Sequence, residues 1–91
     1  MEKYIIGSNS SGKTRRMLKE AESSDAIIVC KNPYSMEEKA KSYGIYGLEF
    51  VSYEDVHHVP IYGKKLAIDE LGDFFKYYFG AQLDSFTMTV E

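Results

Sequence analysis

Two glycines five positions apart, followed at once by a lysine and a threonine, make the stretch whose residue types and spacing can do chemistry: Gly7-Ser8-Asn9-Ser10-Ser11-Gly12-Lys13-Thr14. The glycines let the backbone turn with its N–H groups pointing inward, which makes a concave nest for anionic oxygens. A helix opening at the end of such a loop adds its free N–H groups and its dipole, both favouring the same negative charge. Lys13 then brings an ammonium to the outer phosphates of a bound polyphosphate, and the Thr14 hydroxyl is a ligand for magnesium. Arg15 follows with a further positive charge. The chemistry implied is the binding of a phosphate chain together with its metal.

A second stretch complements the first. Leu66-Ala67-Ile68-Asp69-Glu70 reads as a short apolar strand ending in two acids. Asp69 would supply a hard oxygen ligand beside the phosphates, as magnesium requires. Glu70 would accept a proton from an attacking water, or orient it. Alone, such a strand is common among those that merely end in acids; downstream of a full phosphate loop it gains meaning. Other reactive side chains read as structural. Cys30 ends the apolar run Ala26-Ile27-Ile28-Val29 and has no partner for a disulfide, so it is expected as a buried core residue in a reducing compartment. His57 and His58 are adjacent, a spacing of no use to a metal, and are expected at the surface.

The elements needed to position these residues alternate in type. Residues 2–6 end on β-branched Ile5-Ile6 and read as a strand feeding the loop. From Lys13 to Glu22 the apolar Met17, Leu18 and Ala21 share a helical face. Ala26 to Cys30 is apolar throughout, as in a parallel strand covered on both faces. Ser35 with Glu38 is a capping-box pattern for a helix running to Tyr43. A short strand over 48–52, one helical turn over 53–56 and the strand ending at Asp69 come next. An aromatic-rich helix spans Leu71 to Phe79, and a closing strand runs from Leu83 to Val90. The order predicts a three-layer α/β fold, one domain over 1–91, with a small, mainly parallel sheet flanked by helices and right-handed crossovers. In such sheets ligands sit at the carboxyl ends of the strands, so both informative stretches fall on one edge.

Composition sets bounds on partners. With 91 residues, the chain has room for only a modest core. A net charge of −3 with interspersed signs lacks the basic field of a stand-alone nucleic-acid binder, although a local basic patch remains compatible. No long apolar span or targeting segment is present, so the expectation is a cytoplasmic protein without a membrane partner.

The glycine-rich loop Gly7–Thr14 and the Asp69-Glu70 pair together resemble the P-loop NTPase superfamily, and element order extends the resemblance over most of the chain. The Asp-Glu pair and the extra strand before it look like the RecA, AAA and helicase-like ATPase branch; thymidine kinases share a similar loop and an Ile-Asp-Glu strand. The resemblance implies ATP or another nucleoside triphosphate with Mg²⁺, held by the loop residues Gly7, Ser8, Asn9, Ser10, Ser11, Gly12, Lys13, Thr14 and the adjoining Arg15. It implies Thr14 and Asp69 as metal ligands, Lys13 and Glu70 as catalytic groups, and a polar sensor at Thr87 or Thr89. Departures bear on activity. No guanine-reading motif, lid or Cys-rich lobe of a kinase is present, and one strand follows Asp69-Glu70 where family members continue. The reading is therefore a minimal core, of a size that would suit a phage or mobile-element accessory protein. Slow ATP hydrolysis is expected, with Arg15 and Arg16 as candidate cations in trans or as plain solvated surface. Self-association or a protein partner is expected through an open sheet edge and the 71–79 helix. The alternative is a non-enzymatic module whose assembly with a protein or DNA is switched by nucleotide.

Overall fold

The run Ile27–Cys30 forms the central strand, β1, and every residue of it is buried. Such complete burial is what an all-apolar, β-branched segment without alternation requires. A computed structural model of the chain describes Ile5 and residues 12–89. The expected strand over 2–6, apart from Ile5, and the loop residues Gly7 to Ser11 lie outside those residues.

The element order is α1 (Lys13–Ser24), β1 (Ile27–Cys30), α2 (Pro33–Ser42), β2 (Phe50–Ser52), a 3-10 turn (Val56–His58), β3 (Leu66–Ile68) and α3 (Leu71–Phe79). The three strands lie in the order β2-β1-β3 and all pair in parallel. Ile28 stands between Phe50 and Ala67, and Val29 between Val51 and Ile68. Successive side chains of a strand leave opposite faces, and the core divides accordingly. Ile28 and Cys30 pack with Met17, Leu18 and Ala21 of α1 and with Met36 and Ala40 of α2, and Ile5 joins that cluster. Ile27 and Val29 pack on the other face with Val51, Tyr53 and Val56, where Phe74 of α3 covers them. The result is helix, sheet, helix: an α/β arrangement around a small parallel sheet.

Local signals explain the helix boundaries. α1 runs two residues past the expected Glu22 and ends where Asp25 takes a left-handed conformation (φ 57°), letting the Ala26 N–H donate to the Ala21 carbonyl at 3.1 Å. α2 begins three residues earlier than the capping box placed it. Its N-cap is Asn32, whose side-chain oxygen accepts the Ser35 N–H at 3.1 Å, and Pro33 occupies the first helical position. Ser35 is thus inside the helix, because Pro33 carries no N–H to lose and its fixed φ suits the first turn. We expect Asn32→Ala to lower stability by about 1 kcal/mol. Urea unfolding reads this directly, and an unchanged midpoint would remove Asn32 as the cap.

Two further expectations are corrected. The helical turn falls at Val56–His58, not 53–56, because Tyr53 is drawn into the core and its N–H still donates to the Cys30 carbonyl at 3.1 Å. The closing strand over 83–90 is not formed: residues 83–89 carry no regular structure, with Phe86 and Met88 exposed, and Val90 lies outside the described residues. Alternating Phe86, Thr87 and Thr89 fit a pleated surface, but propensity without a paired neighbour makes no strand. Thr87 and Thr89 therefore sit on no sheet edge that would make either a sensor.

Candidate functional site

Because the three strands are parallel, Lys31, Tyr53 and Asp69 all follow directly on a carboxyl end and share one edge of the sheet. The ladder continues one residue past β3, where the Asp69 N–H donates to the Val29 carbonyl at 2.9 Å. Asp69 is thereby fixed as the first residue beyond the sheet. Burial, and then the neighbouring charge of Glu70, raise its carboxyl above the usual aspartate range, while Lys39, Lys13 and Lys31 oppose that rise. It is a half-buried acid with three cations within electrostatic reach.

The amino end of α1 arrives at the same edge. Gly12 caps it in a left-handed conformation (φ 79°), which a glycine adopts without steric penalty, and its carbonyl accepts the Arg16 N–H at 3.1 Å. Lys13, the first residue of α1, places Nζ 3.9 Å from Glu70 Oε1. Thr14 next to it is half-buried, and Arg15 and Arg16 are exposed. Arg15 lies over the Tyr43 ring, 5.3 Å from its centroid, which gives it a surface partner on α2's side. So Lys13 and the Asp69-Glu70 pair are brought to one edge, as the parallel-sheet order anticipated. Gly7 to Ser11 lie outside the described residues.

Glu70 has the unusual backbone of the site. It is the N-cap of α3 with φ 57° and ψ 70°, and carries no side-chain capping bond. A left-handed conformation costs a non-glycine residue about 1–2 kcal/mol, so its surroundings must hold it. The Glu70 carbonyl accepts the Phe74 N–H at 3.0 Å. The Tyr53 hydroxyl donates to the Asp69 carbonyl at 2.5 Å, with the Glu70 carbonyl 3.2 Å away. Burial, followed by the charges of Asp69, Asp73 and Glu70, pushes the Tyr53 phenol well above its ordinary range, so it stays a donor. Tyr53 carries no motif, and only its aromatic type at a strand's end could have marked it in the sequence.

Flanking charges complete the edge. Lys31 Nζ bonds Asp73 Oδ2 at 2.6 Å, tying the end of β1 to the first turn of α3, and that bond raises the lysine's proton affinity. The Cys30 thiol behind Lys31 is pushed up to about 11 by burial and by Asp69, so it remains a protonated core group at neutral pH. His57 and His58 are exposed, and His57 Nδ1 lies 2.9 Å from the Tyr78 hydroxyl. Among the described residues no group of three or more His, Cys, Asp or Glu is placed to hold a metal ion, and no helix is long and apolar enough to cross a membrane. A cleft at the opposite, amino edge is lined by Asp25, Glu49, Lys64 and Lys65, far from this chemistry.

Comparison of the chain with family models, with curated proteins and with solved structures gives no match.

Proposed function

We propose that this chain is of the P-loop NTPase kind, that it binds a nucleoside triphosphate, ATP foremost, with Mg²⁺, and that it hydrolyses it slowly as an oligomer or with a partner. The observation that carries the reading is the 3.9 Å approach of Lys13 Nζ to Glu70 Oε1, which joins the last part of the glycine-rich motif to the acids after β3. The acid-tipped strand is not distinctive alone; its approach to the end of a full phosphate-loop motif, at the carboxyl edge of a parallel sheet, supports reading the two as one site.

The donor set suits the metal. Thr14 offers a hydroxyl and Asp69 a carboxylate, both hard oxygens and both half-buried. An acid whose ionised form is disfavoured by burial and by Glu70 gains from a cation beside it. Mg²⁺ bound there would neutralise phosphate charge. Lys13 exchanges its Glu70 partner for the outer phosphates, which frees the Glu70 carboxylate to orient water. Arg15 and Arg16, exposed on α1, are available to a neighbouring molecule.

The test couples binding to turnover. Glu70→Gln is expected to keep ATP affinity, since Lys13 loses a competing anion, while phosphate release falls about 100-fold, the loss typical of a positioned general base. Unchanged release would remove Glu70 from the chemistry. A second reading, nucleotide-switched assembly without hydrolysis, is favoured by the exposed Leu71, Tyr77 and Phe79 of α3. Nucleotide-dependent association without phosphate release would select it.

A further inference from the structure

We infer that Tyr53 is a positioning residue of this site, its hydroxyl holding the corner between β3 and α3 so that Asp69 and Glu70 leave the sheet at the angle their roles require. The inference rests on the phosphate-site reading above and adds to it a residue that no motif marks.

Three observations meet at this side chain. Its hydroxyl donates to the Asp69 carbonyl at 2.5 Å and lies 3.2 Å from the Glu70 carbonyl, the two consecutive peptide units of the corner. Those units connect the last ladder bond, Asp69 N–H to the Val29 carbonyl, to the first bond of α3, Phe74 N–H to the Glu70 carbonyl. Between those bonds the corner depends on Tyr53 to hold Glu70 at φ 57°. Finally, the ring is itself immobilised. Tyr53 is 4 % exposed, stacks edge-on against Phe74 at 5.2 Å and lies 6.1 Å from Tyr77. A donor on a fixed ring sets the position of what it bonds; one on a mobile ring follows it. Tyr53 thus acts on the candidate ligand and base through their backbone, without touching either carboxylate. Groups that orient the ligands of a metal typically change affinity or activity 10–100-fold when removed.

The experiment uses the full chain and measures ATP affinity with and without Mg²⁺. In Tyr53→Phe the ring and its packing stay and only the hydroxyl is lost. Metal-free ATP affinity should hold within about 2-fold, because Lys13 and the loop are untouched, whereas the gain in affinity on adding Mg²⁺ should shrink about 10-fold. Adding Asp69→Asn to Tyr53→Phe should then cost no more than Asp69→Asn alone. A merely structural hydroxyl would lower the unfolding temperature and leave the Mg²⁺-dependent gain at its wild-type value, which overturns the inference. Full additivity of the double variant overturns it equally. Failure of the underlying reading looks different: the wild-type chain would bind no ATP under either condition.

Discussion

Lys13→Ala is expected to lower ATP affinity by about 300-fold and to leave the folded state nearly as stable as before. The two halves of this expectation come from the same geometry. Lys13 pairs with Glu70 at 3.9 Å, and the Glu70 side chain is half exposed. Such pairs contribute little, from nothing to about 1 kcal/mol, because water screens them. Facing the phosphates of the proposed nucleotide, the same ammonium would meet charge that water screens far less. Truncating one member of a desolvated charge pair costs 2–5 kcal/mol, and the middle of that range is about 300-fold. Calorimetric titration with ATP and Mg²⁺ measures the affinity, and thermal unfolding of the same sample checks the fold. Equal affinity in the variant would sink the phosphate site. A drop in unfolding temperature as large as a core variant's would instead make Lys13 structural.

How much of this could be read in the sequence depends on whether the deciding interaction is local. Ile27–Cys30 is legible because a run apolar at every position suits only a strand covered on both faces, and α3 is legible to the residue because Gly80, at φ 66°, stops it. The meeting of Lys13 with Glu70 is legible because parallel strands put their carboxyl ends on one edge. What escaped is decided either by competing neighbours or by a distant segment. Asn32 outcompetes Ser35 as the cap because Pro33 sets the first turn. The 83–89 segment has the alternation of a strand without a pairing partner. Tyr53 matters through carbonyls far along the chain, and nothing around it in the sequence marks which ones.

The charges at the edge also clarify why a free site is stable enough to exist. Lys13 with Glu70, and Lys31 with Asp73, neutralise one another in pairs, and Asp69 sits within reach of Lys39, Lys13 and Lys31. On the proposed reading, a polyphosphate entering this edge would exchange partners and would not meet bare like charge. Affinity should then depend on ionic strength through local pairs, since the net charge of −3 gives no long-range attraction for an anion.

The largest loss of stability is expected from Ile28→Ala, about 3–4 kcal/mol. Ile28 is fully buried in the central strand, paired to Phe50 on one side and Ala67 on the other, and its side chain joins Leu18 of α1 and Met36 of α2. Strands of three or four residues offer few other contacts to absorb the cavity. At roughly 0.05–0.15 kcal/mol per residue, a chain of 91 residues has about 5–14 kcal/mol in all, so the variant forfeits a large share of it. Urea unfolding followed by far-UV dichroism and by tyrosine fluorescence reads the loss. A cost below 1 kcal/mol would mean that the sheet closes around the gap and that β1 is not the keystone its burial implies. The same measurement links core to site, because Lys31 follows directly on β1 and the Val29 carbonyl of β1 anchors Asp69. ATP with Mg²⁺ at about 100 times its dissociation constant should therefore return roughly 2.7 kcal/mol to Ile28→Ala. It should return nothing to the double variant with Lys13→Ala, which separates a damaged core from a damaged site.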